Sequence, residues 1–443
     1  MKVIEPGLSQ APVTGGSGPP PARNAARPRQ VSTEALSSLV RPGELVYVPG
    51  ASGAPQAFMS SLLANTGHQK NLRLLTSYVP GINTIDMSTM DASACVTGLF
   101  MHAGLQAAQR SGRYRCLPLS YAGFVRHVLD RVDPDLAVVQ LAPPDAEGNC
   151  SLGPAVEFMP TILKKTSRVL GLINHQTPRI RGAASIPYAR LDHVCEVDTP
   201  LPIYDTQSSP VTEAIARHIA PLVPDGSSLQ IGLGKVPMAL SRLLCDRRML
   251  RLHSGMLSDG LLDLANAGAL DPDFLHTTCA IVGSTALYRQ MADFTQVRVL
   301  GCEFTHDPRV LLELDNFVSV NSALEVDLFG QCNLEHADGH AISGAGGAPD
   351  FARAARLSSG GRSIVALNAT HHGGKGTRIV PCLGERAITS ISRIDVDHVV
   401  TEYGVASLCG ASVHERAHAI IAVAAPEFRE DLARAWSAIA ARL

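Results

Sequence analysis

Residues 229–244, Leu-Gln-Ile-Gly-Leu-Gly-Lys-Val-Pro-Met-Ala-Leu-Ser-Arg-Leu-Leu, place a short apolar strand, a glycine-rich turn and an amphipathic helix in immediate succession. Open α/β sheets bind their ligands at turns of this kind, which follow the carboxyl end of a strand. Gly232 and Gly234 let the backbone approach a ligand, and its N–H groups can hold a phosphate or a thioester carbonyl oxygen. A lone G-x-G is equally typical of a plain tight turn, and Pro237 replaces the third glycine of a dinucleotide-binding motif.

The same alternation of strand and helix extends in both directions from this turn. Short runs rich in Val, Ile and Leu alternate with helical stretches, the pattern of parallel strands covered by helices on both faces. The predicted strands are 136–141 and 168–173 in the first half, then 229–231, 279–282, 297–300, 364–367 and 398–400 in the second. The sequence therefore predicts an α/β fold with two open, mostly parallel sheets.

Length and loop positions predict two domains behind a flexible tail. The chain has 443 residues, of which 45% are hydrophobic, and single cores rarely grow far beyond about 250 residues. Residues 1–30 include a Pro- and Gly-rich run and predict the tail. The apolar periodicity lapses ahead of Pro210, which can open a helix at its first position. The predicted domains are therefore 31–205 and 206–443.

Charge, cysteine spacing and hydropathy argue against several classes of partner. A net charge of -2 and a pI near 6.8 provide no basic surface for nucleic acid. None of the ten cysteines forms a C-x-x-C pair, so we expect reduced thiols and no metal site. Residues 1–30 lack the apolar core that a signal peptide has, and nowhere do eighteen apolar residues run together. We expect a cytoplasmic protein that does not contact a membrane.

A second glycine cluster occurs in the run from Ser343 to Phe351, which contains Gly344, Gly346 and Gly347. Successive small residues bury little and lose much backbone entropy on folding, so something is expected to pass close to them. A sharp loop between sheet elements explains the cluster equally well. Both interpretations stay open at this point.

Carboxylates and histidines give weaker signals. Glu325 and Asp327 alternate with apolar neighbours, which is typical of a strand with one wet face, although Glu325 could instead lie in a cleft. His253 and the pair His371-His372 lack suitably spaced carboxylates or thiols. Solvated or core histidines are therefore favoured over acid-base or metal roles.

Taken together and in order, these segments resemble successive blocks of the acetyl-CoA hydrolase and 4-hydroxybutyrate CoA-transferase family. The resemblance spans nearly all of the chain after the tail, and the ordered combination is far more specific than any one block. The matching blocks are 144–151, 231–237, 253–260, 321–331, 344–351, 401–406, 415–417 and 426–429.

The resemblance implies two domains of the CoA-transferase type, an active site in the cleft between them, and no metal or cofactor beyond the CoA ester. In that family a glutamate carboxylate attacks the acyl-CoA, passes through a mixed anhydride and becomes a glutamyl-CoA thioester that hands CoA to a second acid. It also implies a homodimer or larger homo-oligomer. By position, the residues implied to bind CoA are Gly232, Leu233, Gly234, Lys235, Val236, Gly344, Gly346 and Gly347.

The chain departs from the family at the residue on which this chemistry depends. The family pattern is H-S-E-M-x-S-D-G, and Gly255 stands at the position of the glutamate. A glycine cannot attack a thioester, so the usual glutamyl thioester cannot form at this site. The family also commonly shows G-E-P where this chain has Gly53-Ala54-Pro55. Glu325 is then the most plausible remaining cleft carboxylate, with a supporting role favoured.

Three functions stay open on the sequence alone. The first, which we favour, is a divergent CoA-transferase that moves CoA from an acyl-CoA to a small carboxylic acid, with another carboxylate or by direct exchange of reactants held together. The second is an acyl-CoA hydrolase in which the space at Gly255 admits water or a larger acyl group. The third is a CoA-binding protein without catalysis, acting as a sensor or partner subunit.

Overall fold

The computed structural model describes residues 27–385 and 387–443. Most of the predicted tail, residues 1–30, lies outside the described residues. Its last two residues, Arg29–Gln30, form a strand that pairs in parallel with His193 and Val194. This strand begins at Arg29, two residues before the predicted start of the first domain at residue 31.

The described chain contains twenty-six strands and thirteen α-helices, joined by short 3-10 turns. The strands are β1 Arg29–Gln30, β2 Leu45–Val48, β3 Arg73–Thr76, β4 Cys95–Gly98, β5 Tyr114–Cys116, β6 Leu136–Leu141, β7 Asn149–Ser151, β8 Arg168–Asn174, β9 Gly182–Ala183, β10 Ser185–Pro187, β11 His193–Val197, β12 Ser228–Ile231, β13 Arg251–Leu257, β14 His276–Ile281, β15 Val297–Val299, β16 Phe317–Ser322, β17 Glu325–Asp327, β18 Cys332–Asn333, β19 His336–Ala337, β20 His340–Ala341, β21 Arg362–Ala366, β22 Thr370–His371, β23 Gly376–Thr377, β24 Ile379–Val380, β25 His398–Thr401 and β26 Gly404–Ser407. The helices are α1 Gln56–Ala64, α2 Gln106–Arg110, α3 Tyr121–Arg131, α4 Met159–Lys165, α5 Pro210–Ile219, α6 Lys235–Leu243, α7 Gly260–Asn266, α8 Thr285–Met291, α9 Cys302–Thr305, α10 Pro308–Leu311, α11 Ala348–Leu357, α12 Val413–Ala422 and α13 Arg429–Ala440.

The first half of the chain builds an eight-stranded sheet in the order β1-β11-β8-β6-β2-β3-β4-β5, with every neighbouring pair parallel. Its centre is apolar on both faces, as β6 is buried along its whole length. Such continuous burial is expected of a parallel strand between two layers of helix. The two strands predicted for this half, 136–141 and 168–173, correspond to β6 and β8.

The second half builds a nine-stranded sheet in the order β26-β25-β21-β16-β12-β13-β14-β15-β9. All neighbours are parallel except the β25–β26 pair at one edge. The opposite edge strand, β9, comes from the first half of the chain. All five strands predicted for this half lie in the sheet, so the predicted α/β class with two mostly parallel sheets is confirmed.

The two halves are joined through segment 154–157, which lies against β14. The Ile281 amide donates to the Pro154 carbonyl at 2.7 Å, and the Glu157 amide donates to the Cys279 carbonyl at 3.1 Å. One apolar cluster continues across this junction and contains side chains of both halves, such as Phe158 and Leu229. The predicted boundary at residues 205 and 206 lies in the segment that connects the two sheets. Because the apolar cluster contains side chains of both halves, the two sheets share a continuous core.

No helix among the described residues is long and apolar enough to cross a membrane.

Candidate functional site

A cavity of about 260 Å³, here called the central cavity, opens where the two halves meet. The first half contributes Val79, Phe100 and Tyr121 to its wall. The second half contributes the ends of β12 and β16, the middle of β13 and the second glycine cluster. Because the carboxyl ends of neighbouring parallel strands meet at one edge of a sheet, this is where an open α/β fold exposes its ligand site.

The glycine-rich turn that follows β12 reaches the central cavity with its first two residues, Gly232 and Leu233. Gly234 precedes α6 with φ 129°, a left-handed conformation that favours glycine. Lys235 is exposed and Val236 is buried, and neither lines the central cavity. The structure therefore brings only part of the predicted five-residue CoA-binding turn to the cavity wall.

The second glycine cluster is packed against the first half of the chain. A Cβ atom at Gly344 would overlap the carbonyl oxygen of Leu99, and the Gly346 carbonyl accepts from the Tyr121 amide at 3.2 Å. Gly346 and Gly347 line the central cavity, whereas Gly344 is buried behind it. Of the two interpretations of this cluster, the close approach is found, and the approaching groups are protein atoms of the opposite half.

Asp350 fixes the glycine cluster to helix α3. Its carboxylate accepts from the Ser120 hydroxyl at 2.7 Å and from the Ala122 amide at 3.1 Å. A carboxylate at a helix N-terminus is favourable because unpaired amides and the helix dipole point at it. Burial nevertheless raises the pKa of Asp350 to about 6, and the hydrogen bonds from Ser120, Ala122 and Tyr121 oppose this rise only in part.

A polar patch lies at the adjacent ends of β12 and β16. The Gln230 side-chain oxygen accepts from the Ser319 hydroxyl at 2.7 Å and from the Asn321 amide group at 3.3 Å. Gln230 and Asn321 both line the central cavity, next to Ser322. These amides and hydroxyls can orient a ligand by hydrogen bonds without adding a charge.

Gly255 lies in the middle of β13 and faces the central cavity. An ideal Cβ atom at this position would lie 3.2 Å from His306 Nε2 and 3.4 Å from a ring carbon of Phe351. The space that a side chain at residue 255 would enter is thus bounded by an imidazole and a phenyl ring. The imidazole of His306 is therefore the titratable group nearest to the position of the missing glutamate.

A thiol and a carboxylate lie behind the cavity wall. Cys279 Sγ donates to the Gly255 carbonyl, with 2.9 Å between sulfur and oxygen. Glu157 is fully buried, has φ 41°, and accepts from the Ser77 hydroxyl at 2.9 Å, while its Oε1 has no hydrogen-bond partner among the described residues. Burial raises the pKa of Glu157 to about 7, although hydrogen bonds from Ser77 and the Gly50 amide work in the opposite direction. Neither Cys279 nor Glu157 lines the central cavity.

Glu325, the carboxylate suggested by the sequence, does not line the central cavity. It accepts from the Asn333 side-chain amide at 3.0 Å and lies in a separate pocket of about 130 Å³, here called the Glu325 pocket. Its neighbour Asp327 is fully buried rather than solvated, and it accepts from the Phe329 and Gln331 amides at 3.0 and 2.9 Å. The predicted wet strand face is therefore wrong at Asp327, which holds a turn together.

Two groups of side chains combine ligand types and spacing that could hold a metal ion. Cys279, Cys302 and His306 form a buried group, and Asp338, His371 and His372 form a largely exposed one in the wall of the Glu325 pocket. Asp338 is remote in sequence from His371 and His372, so residue spacing gave no signal for the carboxylate of the second group. The expectation of no metal stays a prediction.

His253 is a buried core histidine, one of the two environments expected for it. Its Nε2 lies 2.9 Å from the Thr305 carbonyl, and burial lowers its pKa to about 4.

Comparison with protein-family models matches both halves of the chain. Residues 27–204 match the acetyl-CoA hydrolase/transferase N-terminal domain, and residues 283–436 match the acetyl-CoA hydrolase/transferase C-terminal domain. The two matches together cover more than half of the chain. The unmatched segment between them contains the glycine-rich turn and Gly255.

Curated relatives and solved structures agree with these matches. The 4-hydroxybutyrate coenzyme A transferase of Clostridium kluyveri is 32% identical over 410 residues, which are 91% of this chain and 96% of that protein. The succinyl-CoA:cyclohexane-1-carboxylate CoA transferase of Geobacter metallireducens is 31% identical over 419 residues, 92% of this chain and 95% of that protein. The crystal structure of RipA from Yersinia pestis superposes with a TM-score of 0.84 at 28% identity, covering 93% of this chain and 97% of that one.

Proposed function

The chain belongs to the acetyl-CoA hydrolase/transferase family, and from this premise we propose that it transfers CoA from an acyl-CoA to a small carboxylic acid in the central cavity. Acyl-CoA and carboxylate are the substrates named for the transferases to which it is similar. We propose that the reaction uses no cofactor beyond CoA, which is part of the substrate.

The observation that carries this proposal is the composition of the central cavity. Three of the blocks that resemble the family meet in its wall: the turn at Gly232, the strand at Gly255 and the glycine cluster at Gly346 and Gly347. A volume of about 260 Å³ is several times the roughly 30 Å³ that one water molecule occupies in the liquid. This is room for an acyl thioester and a small acid, so the nucleotide of CoA would extend outside the cavity.

The mechanism must differ from the covalent one of the family. None of the described residues that line the central cavity is an aspartate or a glutamate. No described residue of the cavity wall can therefore form an enzyme-bound glutamyl thioester. A direct exchange fits better, in which the acceptor acid itself attacks the acyl thioester while both are held in contact, since correct placement alone supplies much of a bimolecular barrier.

A mass-spectrometric CoA-exchange assay tests the proposed function. The purified protein is incubated with acetyl-, butyryl- or succinyl-CoA and a panel of carboxylic acids, and the new CoA ester is measured. We expect a new ester only when both donor and acceptor are present. Loss of the donor ester at the same rate without an acceptor would instead establish a hydrolase, the other activity in the family's description.

A binding measurement runs beside this assay, with the same donors at millimolar concentration in calorimetry and thermal-shift experiments. Binding without turnover would contradict the proposed transferase and favour a CoA-binding partner or sensor. Absence of both binding and turnover would contradict every acyl-CoA function for this chain.

A further inference from the structure

His306 is a buried side chain that faces the central cavity with an unused hydrogen-bonding atom. Its side chain is 1% exposed, and its Nε2 has no hydrogen-bond partner among the described residues. That nitrogen lies 3.2 Å from where a Cβ atom at Gly255 would be, and a Cβ atom at Gly347 would overlap it. An unpaired buried polar atom destabilises the fold, and a ligand in the cavity would offset that cost by pairing with it.

Aromatic neighbours and a short helix hold the imidazole in this position. His306 follows α9, and its ring lies between Tyr121 and Phe351, with ring centroids 4.9 and 4.7 Å away. Tyr121 belongs to the first half of the chain and Phe351 follows the glycine cluster. The ring is therefore positioned by both halves and has little freedom to leave the cavity wall.

The other ring nitrogen of His306 is paired with its neighbour Thr305. Thr305 Oγ1 lies 2.9 Å from His306 Nδ1 and 3.4 Å from the Gly301 carbonyl oxygen. The hydroxyl can donate to Nδ1 or accept from it, and the two arrangements correspond to the two tautomers of the ring. In the tautomer in which the hydroxyl donates to Nδ1, the imidazole carries its own proton at Nε2 and offers an N–H donor to the cavity.

The surroundings also keep the ring neutral. Burial, followed by the nearby His253, lowers the pKa of His306 to about 3. The rings of Tyr121 and Phe351 pack against the imidazole, and the thiols of Cys279 and Cys302 lie close to it. So weakly basic a nitrogen is a poor general base at neutral pH, whereas a neutral N–H remains a good hydrogen-bond donor.

We propose that His306 is a catalytic residue of the central cavity, whose Nε2–H donates a hydrogen bond to the carbonyl oxygen of the acyl thioester. This inference rests on the proposed function and adds the group that takes part in place of the missing glutamate. Donors aimed at the oxygen where negative charge develops are among the largest contributions to acyl transfer.

The exchange then needs no proton donor and no nucleophile from the enzyme. A carboxylate oxygen of the acceptor attacks the thioester carbon, the C–S bond breaks, and a mixed anhydride and the CoA thiolate form. The thiolate attacks the acceptor's carbonyl carbon, the anhydride C–O bond breaks, and the donor acid leaves as a carboxylate. Each tetrahedral intermediate carries its negative charge on a carbonyl oxygen, and Nε2–H stabilises that oxygen.

Two substitutions of similar volume separate the donor from the shape of the ring. His306→Met removes the N–H, and His306→Gln keeps an amide N–H at nearly the same distance from the backbone. We expect kcat of the exchange to fall about 100- to 1,000-fold in His306→Met and about tenfold or less in His306→Gln. KM and the melting temperature should change little, since the donor acts mainly on the transition state. Equal activity of His306→Met and the wild type would overturn the proposal.

Infrared spectroscopy of a bound acyl-CoA, labelled with ¹³C at the thioester carbonyl, tests the contact without turnover. We expect the carbonyl stretch to lie at lower frequency in the wild type than in His306→Met, with His306→Gln close to the wild type. Identical frequencies in wild type and His306→Met would refute the hydrogen bond even if exchange is measured. A shifted frequency without exchange would leave the hydrogen bond supported and refute the transferase function.

Metal analysis of the purified protein provides an independent check. Stoichiometric zinc lost in both His306→Gln and Cys279→Ser would mean that Nε2 is a metal ligand, which would overturn the donor role. Metal-free protein with the infrared shift intact supports it.

Discussion

The central cavity and the Glu325 pocket differ in which halves of the chain build them and in how many charged groups line them. The central cavity is built by both halves of the chain, is lined mainly by apolar side chains and glycines, and has one buried imidazole in its wall. The Glu325 pocket is built by the second half alone, and its polar lining contains Glu325, His371 and His372, which the sequence singles out, together with His336, Asp338 and Arg378. The first pocket is poor in charged groups and the second is rich in them.

This difference shows that abundant polar groups do not by themselves mark the reactive site. A hydrogen bond to a developing charge is stronger where water is excluded, so one buried donor can outweigh several solvated ones. The Glu325 pocket exposes its histidine pair to water.

Gly347→Ala should abolish most activity in the central cavity. The backbone at Gly347, with φ -87° and ψ -4°, suits any residue, but the new methyl group would overlap His306 Nε2. Displacing an imidazole held between two rings should lower kcat at least about 100-fold and destabilise the fold by about 1–3 kcal/mol. Gly67→Ala is the matched control, because a Cβ atom there meets nothing within 4 Å. Full activity of Gly347→Ala would contradict the packing on which the His306 inference depends.

Glu157→Gln should change how stability depends on pH. The folded state raises the pKa of Glu157 from 4.5 to about 7, so it binds the proton more tightly than the unfolded chain. The free energy of unfolding should therefore fall as pH rises from about 4.5 to about 7, by on the order of 3 kcal/mol for this group. Chemical denaturation at several pH values measures this fall.

In Glu157→Gln that part of the fall should disappear. Relative to the wild type, the variant should therefore be more stable at pH 8 than at pH 5. The matched control, Glu325→Gln, should keep the wild-type slope. An unchanged slope in Glu157→Gln would show that the buried carboxyl stays ionised throughout.

Gly255→Ala should have an intermediate effect. The added methyl group would lie 3.2 Å from His306 Nε2 and 3.4 Å from Phe351, so the neighbours need to move by only a few tenths of an ångström. We expect kcat to fall about tenfold, with a small change in melting temperature. A gain in exchange rate would indicate that the imidazole obstructs the reaction rather than promoting it.

Glu325→Gln should have the smallest effect on chemistry. The amide keeps the size of the side chain and can still pair with Asn333 across the present 3.0 Å contact. We expect the exchange rate to stay within about threefold of the wild type, because the carboxylate does not line the central cavity. Loss of exchange with binding intact would place the reaction at the Glu325 pocket and restore the carboxylate suggested by the sequence.

The sequence was sufficient for the α/β class, for seven strands of the two sheets and for two segments of the cavity wall. Period-two and continuous apolar runs are local signals, and they identified β6, β8 and β12. The glycine cluster was also recognisable, although a sharp loop between sheet elements explained it as well as a close neighbour did. The identity of that neighbour was not, because Leu99 and Tyr121 meet the cluster only after the two halves associate.

His306 could not be chosen from the sequence because nothing local distinguishes it. Its one signal is a position shortly after β15, at the ligand-binding end of a parallel strand. The burial of its ring, the free Nε2 and the proximity to Gly255 arise from tertiary packing. The pocket that Glu325 borders could not be read from the sequence for the same reason, since strand alternation identifies which face a side chain points to but not which pocket that face borders.

A crystal structure with a bound, non-hydrolysable ketone analogue of an acyl-CoA would show directly where the reacting carbonyl lies. We expect the analogue's carbonyl oxygen in the central cavity, about 2.7–3.2 Å from His306 Nε2, with the CoA chain leaving past Gly232 or Gly347. A carbonyl oxygen turned away from His306, or an acyl group bound in the Glu325 pocket, would contradict this expectation.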